Sequence, residues 1–199
     1  DRCVFIEVVR HPLYMIRQQL LNMKRLTGNA RHFTMYYENN DREFVYYARD
    51  WEELYAKSSD IDRVIYFISE MTKKTNKVKK ELTKYYDSNI LTIPFEKFVL
   101  DPDLWMDKIA KVIGTSVTDI TKTVMKKQNI PRDMVAQGVD LDIYRRCGWL
   151  PPKFGTTERD ELNIRREEVA RETSADMLDM LDGLSREYEN KYWDPDVQC

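Results

Sequence analysis

The sequence predicts an α/β domain, and three observations carry that prediction. A β-branched apolar run, Cys3-Val4-Phe5-Ile6-Glu7-Val8-Val9, is stopped by Arg10-His11-Pro12. A second run, Asn89-Ile90-Leu91-Thr92-Ile93-Pro94, is again stopped by Pro. Near-continuous apolar runs of this kind read as interior parallel strands. The chain between them is mostly helical in period, which is the crossover that parallel pairing needs.

Taken in order, the opening strand leads into a helix whose first turn accepts Pro12. Leu13, Ile16, Leu20, Met23 and Leu26 recur every three or four residues and make one apolar face, and Gly28-Asn29 closes it. Two alternating stretches, His32–Tyr37 and Glu43–Tyr47, flank the polar joint Glu38-Asn39-Asn40-Asp41 and predict a hairpin. From Asp50 the pattern turns helical. Asp60 is expected to cap a long helix through Ile61, Val64, Ile65, Ile68, Met71, Val78 and Leu82. Its later part, Lys73-Lys74-Thr75-Asn76-Lys77-Val78-Lys79-Lys80, reads first as a solvated basic face and second as a nucleic-acid surface.

After the second strand and Phe95–Val99, Asp101-Pro102 opens a helix carrying Leu104, Trp105, Ile109, Val112 and Ile113 up to Gly114. Ser116 or Thr118 begins another through Ile120 and Val124, and Asn129-Ile130-Pro131-Arg132 breaks the chain. Residues 140–157 form a mixed segment rich in Arg, Gly and Pro. Ser174 is expected to cap a last helix with Met177, Leu178, Leu181, Leu184 and Tyr188 on one side.

Composition bounds the function. The 199 residues suit one domain, 1–199, and 42% hydrophobic residues supply a core, which excludes global disorder. With 32 Lys+Arg against 34 Asp+Glu the net charge is -2, so no nucleic-acid partner is expected, although a local basic pocket is compatible with that balance. No apolar run approaches the ~20 residues of a membrane helix, so no transmembrane segment is expected. Cys3, Cys147 and Cys199 are too far apart for a disulfide framework or a zinc ligand set. No Asn-x-Ser/Thr acceptor occurs, and the expected compartment is cytoplasmic. Two core-type strands and a hairpin cannot bury both faces of a sheet. The first strand or strands are therefore expected upstream of Asp1, and the domain is read as N-terminally incomplete.

Few residues offer chemistry. Arg10 stands at the carboxyl end of a parallel strand, where ligands of open α/β sheets bind, and its fork of donors suits a phosphate. The competing reading pairs it with a neighbouring carboxylate. His11 reads as structural before it reads as a general base. Arg145-Arg146-Cys147-Gly148-Trp149 combines adjacent cations, a Gly and a ring in one loop, a phosphate grip or a set of surface pairs. Gln128-Asn129-Ile130-Pro131-Arg132 is a cleft wall or a connector. GxxxxGK[ST], GxGxxG, HExxH and GxSxG are all absent, and with only His11 and His32 no histidine metal site is expected.

The order of these parts resembles the C-terminal two-thirds of the PAPS-dependent sulfotransferases. Val4–Pro12 is similar to the family's strand ending in Arg-x-Pro, and Leu91–Pro102 to its strand, Glu and Asp-Pro segment. The helix Trp105–Gly114, the segment Lys126–Arg132 and the ending Tyr188–Trp193 also look like family segments. The resemblance implies a P-loop-NTPase-like parallel sheet flanked by helices. It implies that Arg10 binds the 3′-phosphate of PAPS or PAP, with Gln18 standing where the family places a Ser. Arg145, Arg146 and Gly148 would close over that phosphate. The implied activity moves a sulfuryl group from this nucleotide donor to a hydroxyl or amine acceptor, without a metal. The Tyr-rich hairpin at 32–47 would wall the acceptor site. The family's 5′-phosphosulfate loop and catalytic base would precede Asp1. Two alternatives stand beside this: a P-loop-type nucleotide or small-molecule kinase relative, and a non-catalytic interaction domain on the same scaffold.

Overall fold

Phe5–Val9 form β1 and Ile90–Pro94 form β4, and the two pair in parallel with Phe5 opposite Ile90 and Val9 opposite Pro94. The protein is described here by a computed structural model, which covers residues 3–28, 35–86, 90–139, 141–142, 145 and 150–196. The crossover between the strands contains α1 (Pro12–Gly28), a hairpin of β2 (Tyr36–Asn39) and β3 (Arg42–Val45), α2 (Glu52–Lys57) and α3 (Asp60–Tyr86). After β4 come α4 (Phe95–Leu100), α5 (Asp103–Ile113), α6 (Asp119–Lys127), α7 (Glu158–Ala170) and α8 (Ala175–Lys191). The class is α/β, with a two-stranded parallel sheet and a separate antiparallel pair.

The hairpin turns on Asn40 and Asp41, both at positive φ (52° and 59°), a conformation that these two residue types tolerate. It stops short of the expected length: Tyr46–Ala48 leave the strand as a 3-10 turn, which carries Tyr47 and Ala48 into the core. His32, Phe33 and Thr34 lie outside the described residues.

Helix α3 begins at Asp60 itself, so its cap lies one residue earlier than expected. The Ser59 hydroxyl accepts from the Asp62 amide at 3.2 Å, while Asp60 is already helical. Asp62 in turn accepts from the Ser174 amide at 3.0 Å, fastening the start of α3 to the start of α8. Ser174 occupies the N-cap position of α8, but its side chain makes no capping bond. For α6 the cap is Thr118, in a reciprocal box with Thr121.

Helices α1, α3, α7 and α8 pack together beside the parallel sheet. Ile16, Val64, Ile65 and Leu181 sit at zero exposure where they meet. Trp51 and Val45 join this core from the hairpin side, and Trp193 from the chain after α8. The opposite face of β1 is open: Ile6 is 43% and Val8 61% exposed. Parallel strands are ordinarily covered on both faces. The described residues leave this one uncovered. Among them no helix is long and apolar enough to cross a membrane.

Gly114 ends α5 at φ 77°, with its amide donating to Lys111 O at 3.3 Å and the Thr115 amide to Ala110 O at 2.8 Å. That is a Schellman closure, which needs a left-handed residue. Nothing lies within 4 Å of the Cβ that an alanine would add, so the backbone alone decides the effect. Gly114→Ala should destabilise the fold by about 1 kcal/mol. A urea midpoint that does not move would contradict this.

Candidate functional site

The site is built where β1, β4 and α8 converge. Beyond Val9 the chain turns through Arg10 and His11 into α1, and beyond Pro94 it turns directly into α4. Glu96, in the first turn of α4, is completely buried. Its carboxylate accepts from the His11 amide at 3.0 Å and, in a short hydrogen bond, from the Tyr188 hydroxyl of α8. A buried carboxylate without such donors would be several kcal/mol unfavourable. Burial, reinforced by Glu96, raises the pKa of the Tyr188 phenol and keeps it protonated as the donor.

Beside this carboxylate lies Arg10. Its guanidinium carbon is 4.6 Å from the Phe95 ring centroid and 5.7 Å from that of Tyr14. Arg132 approaches the Phe95 ring at 5.8 Å and Arg165 the Tyr14 ring at 4.8 Å. Three guanidinium groups thus gather around two rings. Arg10 Nε is buried with no hydrogen-bond partner. Burial lowers the Arg10 pKa; Glu96 pushes it back up, and Arg165 lowers it further. The group stays a cation, since arginine holds its proton throughout the accessible pH range. Glu96 compensates it through space; among the described residues no carboxylate forms a salt bridge with it.

Arg10 borders a cavity of about 370 Å³ between β1, α1, α3 and α8. Its walls include Gln19, Phe67, Met71, Asn76, Tyr188 and Lys191. The lining is largely apolar and carries cations at Arg10 and Lys191 and carboxylates at Glu7, which is paired with Lys79, and Glu187. Gln18, one position before Gln19, is exposed on α1 and does not border this cavity. A wider cleft of about 1130 Å³ opens between the ends of α4 and α6, the start of α7 and the chain after α8. Asn129, Ile130, Pro131 and Arg132 line it, so this segment is a cleft wall. Asn129 takes a positive φ of 53°, and its side chain donates to Gln137 O at 2.9 Å.

Glu158 also faces the cleft. It accepts from the Val135 amide at 2.6 Å and from the Tyr14 hydroxyl at 3.0 Å, and burial raises its pKa. Sequence reading did not find α7, which brings Glu158, Arg159, Glu161 and Arg165 to the site. Leu162, Ile164, Val169 and Ala170 are its only apolar residues among eight charged ones, so the apolar period is faint. The usable signal was Thr157-x-x-Asp160, a reciprocal capping box in the structure.

Of the Arg145 loop, Arg145 is exposed, donates its amide to Leu141 O at 3.1 Å and borders neither cavity. Arg146 and Gly148 lie outside the described residues. His11 is completely buried. Its Nδ1 accepts from the Leu13 amide at 3.3 Å, so Nε2 carries the proton and donates to Glu189 at 3.1 Å. Both ring nitrogens are occupied, and His11 is a structural residue. Among the described residues no cluster of His, Cys, Asp and Glu is arranged to hold a metal.

Compared with family models, curated proteins and solved structures, the chain matches none.

Glu189 joins His11 to Arg159, which forks onto Glu189 at 3.1 Å and Asp196 at 2.9 Å. Burial alone would raise the Glu189 pKa, but hydrogen bonds from His11 and Arg159 outweigh it and hold the carboxyl below the ordinary glutamate range. A depressed folded pKa gives stability that is present above the unfolded value and lost as pH falls through the folded one. Glu189→Gln should therefore cost about 1.5–3 kcal/mol near neutral pH. That difference should shrink as the pH drops below the ordinary glutamate value. An equal difference across the whole acid range, in urea titrations of both proteins, would contradict the assignment.

Proposed function

We propose that this chain is a sulfotransferase-like nucleotide-binding domain, and that Arg10 receives the 3′-phosphate of PAPS or PAP. One observation carries the reading. A cation at the carboxyl end of a parallel strand borders a cavity, is stripped of most of its hydration, and has a buried Nε with no partner. An incoming phosphate offers the hydrogen-bond acceptors that the protein withholds. It also relieves the unfavourable proximity of Arg10 to Arg165. Lys191 lines the same cavity beside the carboxylates of Glu7 and Glu187, which leaves Arg10 as the group that the reading rests on. Arg146 and Gly148 stay in the proposal as what the resemblance implies, whereas Arg145, which borders neither cavity, does not supplement this grip.

In the full reaction, the acceptor hydroxyl or amine gives its proton to a base, and its lone pair forms the new bond to sulfur. The bond from sulfur to the bridging phosphate oxygen breaks, and PAP departs with that electron pair. The part assigned to this chain is to anchor the nucleotide by its ribose phosphate, fixing where the transferred group lies. The P-loop-NTPase-like sheet implied by the resemblance would continue at the edge of β1 opposite β4.

A second reading, nucleotide binding without chemistry, is favoured by Gln18, which stands where the family places a Ser and does not border the cavity. Titration calorimetry on the whole chain separates both of these readings from a kinase relative. PAP should bind, and ADP with magnesium should bind less tightly; the reverse order would favour the kinase relative. Arg10→Ala should weaken PAP by about 1.5–3 kcal/mol, roughly 10- to 100-fold. Unchanged PAP affinity in a folded Arg10→Ala protein would remove Arg10 from the site.

A further inference from the structure

We infer that Tyr188 is a positioning residue: by occupying the Glu96 carboxylate, its hydroxyl keeps the Arg10 guanidinium unpaired and open to an incoming phosphate. This rests on the reading of Arg10 as the ligand of a nucleotide phosphate, and it names the residue that sets how strongly Arg10 binds.

Glu96 has two carboxylate oxygens, and each already has a donor. Oε1 accepts from the His11 amide at 3.0 Å, and Oε2 accepts from the Tyr188 hydroxyl. Arg10 is tied to the same place from both ends. It directly precedes His11, and its guanidinium carbon lies 4.6 Å from the ring of Phe95, which directly precedes Glu96. The Glu96 charge accordingly favours the Arg10 cation through space. Yet Arg10 Nε is buried without a partner, and among the described residues no salt bridge joins the two side chains. A guanidinium and a carboxylate buried near one another ordinarily pair, because each is costly to leave alone. Here the phenol holds the second oxygen instead.

Packing keeps the phenol there. Its ring meets His11 edge to face at 5.4 Å and tilts against Tyr192 at 5.3 Å, and its hydroxyl lies 3.4 Å from Val9 O. Tyr188 is buried and belongs to the wall of the cavity that Arg10 borders. Burial and the Glu96 charge both raise its pKa, so it keeps the proton that it donates. Without that hydroxyl, Glu96 Oε2 would be a buried charged acceptor with no donor, which is worse than an ordinary lost hydrogen bond. Arg10 Nε is a buried donor with no acceptor. Pairing them would satisfy both atoms and withdraw the guanidinium from any ligand.

The test is a cycle of variants of the whole chain, titrated with PAP in a calorimeter, with circular dichroism to check folding. Tyr188→Phe should weaken PAP by roughly tenfold or more, because Arg10 must first leave Glu96. In a Glu96→Gln background the same change should cost less than about threefold, since no carboxylate remains to capture Arg10. A phenol that merely packs, or that touches the nucleotide itself, would cost the same in both backgrounds, and that result would overturn the inference. So would unchanged PAP affinity in Tyr188→Phe. Should Glu96→Gln fail to fold, the Arg10 Nε–H resonance of nucleotide-free Tyr188→Phe decides. It should move downfield on gaining a carboxylate acceptor; an unmoved resonance would overturn the inference. If the wild-type chain does not bind PAP, or Arg10→Ala binds it equally well, the reading of the site fails first and takes this inference with it.

Discussion

A single buried carboxylate organises this protein. Glu96 lies at zero exposure where the two parallel strands end, and it can be there only because the His11 amide and the Tyr188 hydroxyl both donate to it. Those two donors come from the exit of β1 and from α8, and Glu96 itself follows β4. One side chain therefore fixes the relative position of three segments that are far apart in sequence. Around it the aromatic shell of His11, Tyr14, Tyr188 and Trp193 meets edge to face, excluding water from the carboxylate. Without that exclusion, neither the short Tyr188 bond nor the through-space hold on Arg10 would count for much.

The same arrangement explains why Arg10 is poised and not spent. A guanidinium in direct contact with Glu96 would be neutralised; one without Glu96 would be costly to bury. Arg10 sits between these limits, stacked on Phe95 with its Nε unsatisfied and Arg165 close enough to oppose it. A buried donor left without a partner reduces stability. Arg159, by contrast, is fully used by Glu189 and Asp196, and burial does not leave it seeking a partner.

Much of this was legible in the sequence, for reasons that can be named. The strands were visible because both faces of a parallel strand want apolar side chains, and Phe5–Val9 and Ile90–Pro94 supply them. Pro12, Gly114 and the Asn40-Asp41 turn were visible because each needs a backbone conformation that few residues accept. Arg10 stood out by its place at a strand end. The rest was hidden because it depends on distant partners. Nothing local marks Glu96 as buried or tells Gln19 from Gln18 as the residue that borders the cavity. Helix α7 was hidden because its charged residues mask the apolar period, and with it went Glu158 and Arg165. The cap of α3 was misplaced by one residue, Ser59 taking the role expected of Asp60, whereas Ser174 holds the N-cap position of α8 and gives its own amide to Asp62 without making a side-chain capping bond.

The central claim is that the Arg10 guanidinium is reserved for a ribose-borne phosphate. Its Nε–H gives a distinct side-chain resonance in a nitrogen–proton correlation spectrum, assigned by its loss in Arg10→Lys. Adding PAP should move that resonance, whereas adenosine 5′-phosphate, which lacks the 3′-phosphate, should leave it in place. A resonance that ignores PAP, or answers both nucleotides alike, would contradict the account.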